Sequence, residues 1–157
     1  MRIDKVYIEN FKNLNQFSID LDESKMNTIL LGQNAAGKSN FLEALVIIFR
    51  DLDLQVASPF QYSIEYKCST NLLKVEGGPK TKGGFQFYKG IKFKDKIMYD
   101  VKPLSKKAIF LNKNSYLPKY VFSYYSGISN RLLEHFDIHQ RRFYNDLLKG
   151  ENDPMRP

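Results

Sequence analysis

The run Gly32-Gln33-Asn34-Ala35-Ala36-Gly37-Lys38-Ser39 fits the phosphate-binding spacing G-x-x-x-x-G-K-S/T at every fixed position. In such a loop successive backbone N–H groups turn inward and form a nest for the β- and γ-phosphates of a nucleotide. A helix starting behind the loop aims its unpaired N–H groups and positive dipole end at the same anion. Gly32 and Gly37 are expected to supply backbone angles and a close approach that a side chain would block. Gln33, Asn34, Ala35, Ala36 and Asn40 would complete the cradle around them. Lys38 would place a compact positive charge on the β/γ oxygens and stabilise the transition state of phosphoryl transfer. The Ser39 hydroxyl is the expected ligand of Mg²⁺.

A loop of this kind needs a strand before it and a helix after it. Asn27-Thr28-Ile29-Leu30-Leu31 reads as a short buried strand. Ser39 to Arg50 reads as a helix with Phe41, Leu42, Leu45, Ile48 and Phe49 on one face. Upstream, Arg2 to Asn10 and Phe17 to Leu21 alternate as two further strands. Downstream, Tyr62, Ile64, Tyr66 and Cys68 share one strand face. Leu72–Val75, Phe85–Tyr88, Ile91–Phe93 and Ile97–Val101 are four more short strands of an antiparallel meander. The glycine-rich stretch Gly77 to Gly84 and the triplet Lys94-Asp95-Lys96 are its turns. Tyr120 to Tyr125 is expected as an aromatic strand. Asn130 to Lys149 is expected as a helix with Leu133, Phe136, Phe143 and Leu147 on one stripe and Gly150 as its cap.

At 157 residues the chain supplies about one domain, large enough to bury a core. Cys68 is the only cysteine, which excludes an internal disulfide and fits a reducing compartment. The longest apolar run, Ala44 to Phe49, is too short to span a membrane, and the charged N-terminus lacks a signal-peptide pattern. A cytoplasmic location follows as the expectation. The net charge of +7 is uneven. Residues 64–120 carry thirteen lysines against four acids, while residues 1–63 carry six basic against eight acidic side chains. Lys89, Lys92, Lys94 and Lys96, interleaved with Phe87, Tyr88 and Phe93, have the make-up of a DNA-facing surface. The polar face of an antiparallel sheet with protective edge lysines accounts for them as well, and is the preferred reading on sequence alone. His135 and His139 stand four apart, but no further ligand completes a metal site, so a solvated helix face is the better reading.

Two stretches carry a family resemblance. Ile8-Glu9-Asn10-Phe11-Lys12-Asn13-Leu14 and Leu31 to Leu45, with Asn34, Asn40 and Glu43 around the glycine loop, resemble the start of an ABC-type ATPase head. The relatives are SMC, Rad50, RecF and OLD-like proteins, often labelled AAA family ATPases. Tyr124 to Leu132 resembles bacterial members tied to restriction or anti-phage defence. The resemblance implies an α/β fold of the α+β kind, a P-loop ABC-type N-terminal lobe with an antiparallel β-meander and flanking helices. Residues 1–58 would form the nucleotide-binding strand-loop-helix core, 59–126 the lysine-rich β region and 127–150 a C-terminal helix. It implies ATP and Mg²⁺ as cofactors, a second ATPase head or lobe as partner, and DNA as partner of the full assembly.

Such a head also needs a signature motif and a Walker B strand ending in Asp-Glu, and neither is in the chain. Asp20 and Asp100 are the best acidic candidates, and each lacks the full apolar run and the following Glu. The expectation is therefore an N-terminal lobe without its second half, which binds ATP weakly alone and hydrolyses it slowly or not at all. The resemblance further implies a glutamine near Mg²⁺ and the attacking water. Gln140 is the candidate, although its place on an apolar stripe better fits a half-buried polar residue facing a partner lobe. Gln86 is a second candidate, better read as a sheet residue. Lys12 occupies a position where relatives carry a basic residue close to the nucleotide; a solvated lysine is an equal reading. A GTPase would need D-x-x-G and N-K-x-D, and Asn112-Lys113-Asn114-Ser115 lacks the guanine-reading Asp. A nucleotide kinase would need an arginine-bearing helical lid where the meander stands. A non-catalytic scaffold that binds nucleotide only to hold its fold remains the alternative.

Overall fold

Alternation of apolar and polar side chains at period two builds the sheet. In the computed structural model, which describes residues 1–94, 96–124 and 132–149, six strands pair throughout in antiparallel fashion. They are β1 (Arg2–Phe11), β2 (Leu14–Asp20), β3 (Tyr62–Cys68), β4 (Asn71–Gly77), β5 (Phe85–Phe93) and β6 (Lys96–Tyr99), in the order β2-β1-β3-β4-β5-β6. The fold is mixed α/β. The register Val6↔Ile64, Ile64↔Val75 and Val75↔Phe87 puts one apolar row across four strands, all of it buried. The expected pieces Phe85–Tyr88 and Ile91–Phe93 are one continuous strand through Lys89 and Gly90. Gly90 is required there, because a Cβ would lie 2.8 Å from the ring of Tyr99 on β6.

Helix α1 (Lys38–Leu54) lies over that apolar row. It buries Phe41, Ala44, Ile47, Ile48, Phe49 and Leu52, and Phe49 meets Tyr66 edge-on at 5.6 Å. Leu42, expected on the inner face, is exposed, and Ala44 and Ile47 take the inner positions. Two short helices, α2 (Lys106–Leu111) and α3 (Lys113–Tyr116), cover the rest of the core with Ile109, Phe110 and Tyr116. Ser105 caps α2 by accepting from the Ala108 N–H at 3.3 Å. The Tyr66 hydroxyl donates to the Tyr116 carbonyl at 2.8 Å, and Lys113 pairs with Asp53 of α1.

Two expected strands are absent. Asn27–Leu31 is irregular, with Ile29 83 % and Leu31 90 % exposed; only Leu30 packs against the core. Residues 120–124 are irregular as well, with Phe122 and Tyr124 exposed, and Tyr125 lies outside the described residues. A strand exists only beside a hydrogen-bonded neighbour, and neither segment joins the sheet, whose edges are β2 and β6.

The chain divides into two units at Val121/Phe122. In the second unit, a 3₁₀ turn at Leu133–His135 precedes helix α4 (Asp137–Leu148). The expected single helix from Asn130 is thus interrupted at Phe136 (φ −100°, ψ −9°), off helical geometry. Asn130, Arg131 and the cap Gly150 lie outside the described residues. No helix among the described residues is long and apolar enough to cross a membrane.

Candidate functional site

Gly37 closes the glycine loop in a left-handed conformation (φ +91°) that only glycine adopts without strain, and α1 begins at the next residue. The first intrahelical bond runs from the Phe41 N–H to the Gly37 carbonyl at 2.8 Å. By helix geometry the N–H groups of the first turn, Lys38 and Ser39 among them, precede that bond in the helical ladder. The N-cap residue, Gly37, has no side chain with which to cap this end, and no acid stands in the first turn. The helix therefore directs the positive end of its dipole at the loop, a site suited to an anion.

Lys38 is folded back over the loop. Its Nζ donates to the Gly32 carbonyl at 2.6 Å and the Gln33 carbonyl at 2.7 Å. The ammonium thus lies on the loop side of the helix start. Ala36 N–H donates to the Gln33 carbonyl at 3.2 Å, and Ala35 has φ +66°. Residues 32–36 are exposed, Gly37 is buried, and Lys38, Ser39 and Asn40 are half-buried. The special backbone angle expected at both glycines is found at Gly37 and Ala35. Gly32 lies outside the left-handed region, and a Cβ there would meet Ala36 at 3.4 Å, an ordinary contact.

The two-residue turn between β1 and β2 presses on this loop from outside. Phe11 and Leu14 close the turn, and Lys12 sits at φ +54°. A Cβ on Gly37 would lie 2.9 Å from Leu14 Cδ2 and 3.1 Å from Asn13 Oδ1. Lys12 Nζ reaches both carboxylate oxygens of Glu43 in α1, at 2.6 and 2.7 Å. Glu43 is almost fully buried, so the pair also provides the partner its carboxylate needs. Asn13 Nδ2 donates to the Ala35 carbonyl at 2.9 Å, and Asn40 Nδ2 donates to Asn13 Oδ1. Asn13 and Glu43 had not been assigned roles from sequence. An acid at an inner position of a largely apolar helix face, a feature Glu43 shares with the buried Asp51, was the available signal for Glu43.

The other expected residues are placed as follows. Asp20 ends β2 and Asp100 follows β6, both exposed. Gln140 is exposed on α4, in the second unit. Gln86 lies in β5, where its Oε1 accepts from the Tyr88 hydroxyl at 2.9 Å. His135 ends the 3₁₀ turn and His139 lies in α4, both half-buried; among the described residues no cluster of three metal-capable side chains forms. Lys89, Lys92, Lys94 and Lys96 are exposed and, among the described residues, make no ion pair. Register places Lys89 (opposite Leu73) and Lys96 (opposite Phe93) on the core-side face, and Lys92 on the other. Phe87 is fully buried, while Phe93 is 64 % exposed. On the polar face the Tyr99 hydroxyl donates to Glu65 at 2.8 Å; desolvation, and then that carboxylate, push the Tyr99 pKa far up.

No curated protein gives a significant match to the chain. A family model described as "AAA ATPase domain" matches residues 1–153, nearly the whole length and including the glycine loop, α1 and the sheet. The chain belongs to the AAA ATPase domain family, whose members bind and hydrolyse nucleotide.

Proposed function

We propose that this chain is the ATP-binding lobe of an ABC-type ATPase head, in which a triphosphate lies in the loop 32–39 at the start of α1. The observation that carries the proposal is the acid-free N-terminus of α1, opened by the left-handed Gly37, with the Lys38 ammonium folded beside it. That arrangement fits a polyphosphate in charge, donor set and reach. The residues also fit Mg²⁺: Ser39 sits at the second helical position, half-buried, where a hydroxyl can face the same anion. Bound there, the ion would neutralise charge on the phosphate oxygens. The chain's own contribution is to bind and orient the phosphates through the loop amides, with Lys38 exchanging its two carbonyl partners for phosphate oxygens.

The exposed apolar pair Ile29 and Leu31 supports a second lobe as partner. Between them Leu30 faces the core, so the segment alternates like a strand whose outer row lacks cover. We assign that cover to the lobe carrying the signature and Walker B motifs. Hydrolysis by this chain alone is accordingly expected to be slow. The lysine excess of residues 64–120 supports DNA as the partner on which the assembled head does its work, in repair, chromosome maintenance or anti-phage defence.

The test is equilibrium titration with a fluorescent ATP analogue, with and without Mg²⁺, followed by competition with ATP and GTP. The expected result is saturable, Mg²⁺-enhanced binding from which ATP displaces the probe at least tenfold better than GTP. Absence of binding overturns the reading, and equal displacement by GTP overturns the adenine assignment.

A further inference from the structure

We propose that Asn13 is a positioning residue for the phosphate loop: its side-chain amide holds the Ala35 carbonyl outward so that the loop amides face the anion. This rests on the nucleotide reading above and adds to it a residue outside the glycine motif. An anion nest requires N–H groups on the inside, so carbonyls must turn away and find donors elsewhere. Ala35 makes that turn with φ +66°, a left-handed conformation that costs a non-glycine residue free energy and that surrounding contacts must stabilise. Its carbonyl accepts from Asn13 Nδ2 at 2.9 Å. The other end of the same amide accepts from Asn40 Nδ2 in the first turn of α1. One side chain therefore joins the loop to the helix that follows it, donating to one and accepting from the other.

The amide is aimed by its own turn. Antiparallel pairing of Phe11 with Leu14 closes the two-residue connection on either side of it. Next to Asn13, Lys12 grips the Glu43 carboxylate through both oxygens, which ties the turn to α1 one turn beyond Asn40. On the other side Leu14 is buried against Gly37. Asparagine supplies the donor and acceptor together at this reach. Aspartate keeps the acceptor for Asn40 but has no donor for Ala35, and it adds negative charge beside an anion site.

The experiment compares Asn13→Asp, Asn13→Ala and Lys38→Ala with the unaltered chain, in Ala35 and Ala35→Gly backgrounds. It measures dissociation constants for the fluorescent ATP analogue and, by displacement, for inorganic tripolyphosphate, beside melting temperatures without ligand. Asn13→Ala is expected to weaken both ligands by about tenfold, equally, because the effect acts on the phosphates and not on the base. Asn13→Asp is expected to weaken them further, through its added charge. In the Ala35→Gly background Asn13→Ala is expected to cost less than threefold, since glycine holds the left-handed conformation unaided. Melting temperatures should move by no more than about 2 °C, as for an exposed surface substitution in a chain of this size. Unchanged binding in Asn13→Ala, an equal loss in both backgrounds, or a loss that tracks the melting temperature overturns the proposal. If Lys38→Ala loses binding while Asn13→Ala does not, only this inference fails. If Lys38→Ala binds as the unaltered chain does, the nucleotide reading fails and takes this inference with it.

Discussion

Gly37→Ala is expected to lower stability by about 2–3 kcal/mol and to weaken nucleotide binding at least 100-fold. Two independent effects add at this position. An alanine would have to hold φ +91°, a region that disfavours any Cβ by roughly 1–2 kcal/mol. The new Cβ would then lie 2.9 Å from Leu14 Cδ2 and 3.1 Å from Asn13 Oδ1. Leu14 is buried in the core, so its retreat is not free. Relaxation must instead move the loop, and Gly37 carries the first helical carbonyl acceptor and one of the amides proposed to face the anion. Thermal melting reads the first effect and analogue titration the second. A variant that melts and binds like the unaltered chain would show that the loop adopts another conformation.

The second large effect is expected at Lys38, and it falls on binding alone. Lys38→Ala removes the one lysine within the loop motif and is expected to weaken triphosphate binding about 100-fold, or ~2.7 kcal/mol. Its two bonds to the Gly32 and Gln33 carbonyls are solvent-exposed, so the free chain should lose less than about 1 kcal/mol. The pair of substitutions therefore separates the two roles in the loop: glycine sets its shape and lysine its charge. Analogue titration beside a melting curve distinguishes them. Equal loss of stability in both variants would mean that Lys38 acts as a structural cap and not as a phosphate ligand.

The sheet was legible because alternation is local. Tyr62 to Cys68 alternates residue by residue and is β3 with those bounds. The expected division of β5 in two fails at Lys89 and Gly90, and Gly90 is there to admit the Tyr99 ring of the neighbouring strand, which no local pattern reveals. Asn27–Leu31 and Tyr120–Tyr124 show the opposite error. Both have strand composition, but strand formation is decided by a neighbour, and among the described residues neither pairs with the sheet. Helices α2 and α3 were not anticipated; Ser105, three residues before the Ala108 N–H it accepts from, was the available start signal.

At the site, the loop and the helix behind it were legible from the motif. The β1–β2 turn that supports them was not, because Asn13 and Lys12 act on Ala35 and Glu43 across 22 and 31 residues of sequence. Sequence spacing reports contacts along one element, not contacts between two.

The central claim, that residues 32–39 and the start of α1 cradle a polyphosphate, is tested most directly by amide resonances. The ¹⁵N-labelled chain is titrated with Mg²⁺ and ATP, then with inorganic tripolyphosphate, and amide shifts are followed residue by residue. The account predicts the largest shifts at Gly37, Lys38, Ser39 and Asn40, the same residues for both ligands, and their loss in Lys38→Ala. Saturable ATP binding that leaves those four amides unmoved and shifts residues elsewhere would contradict it.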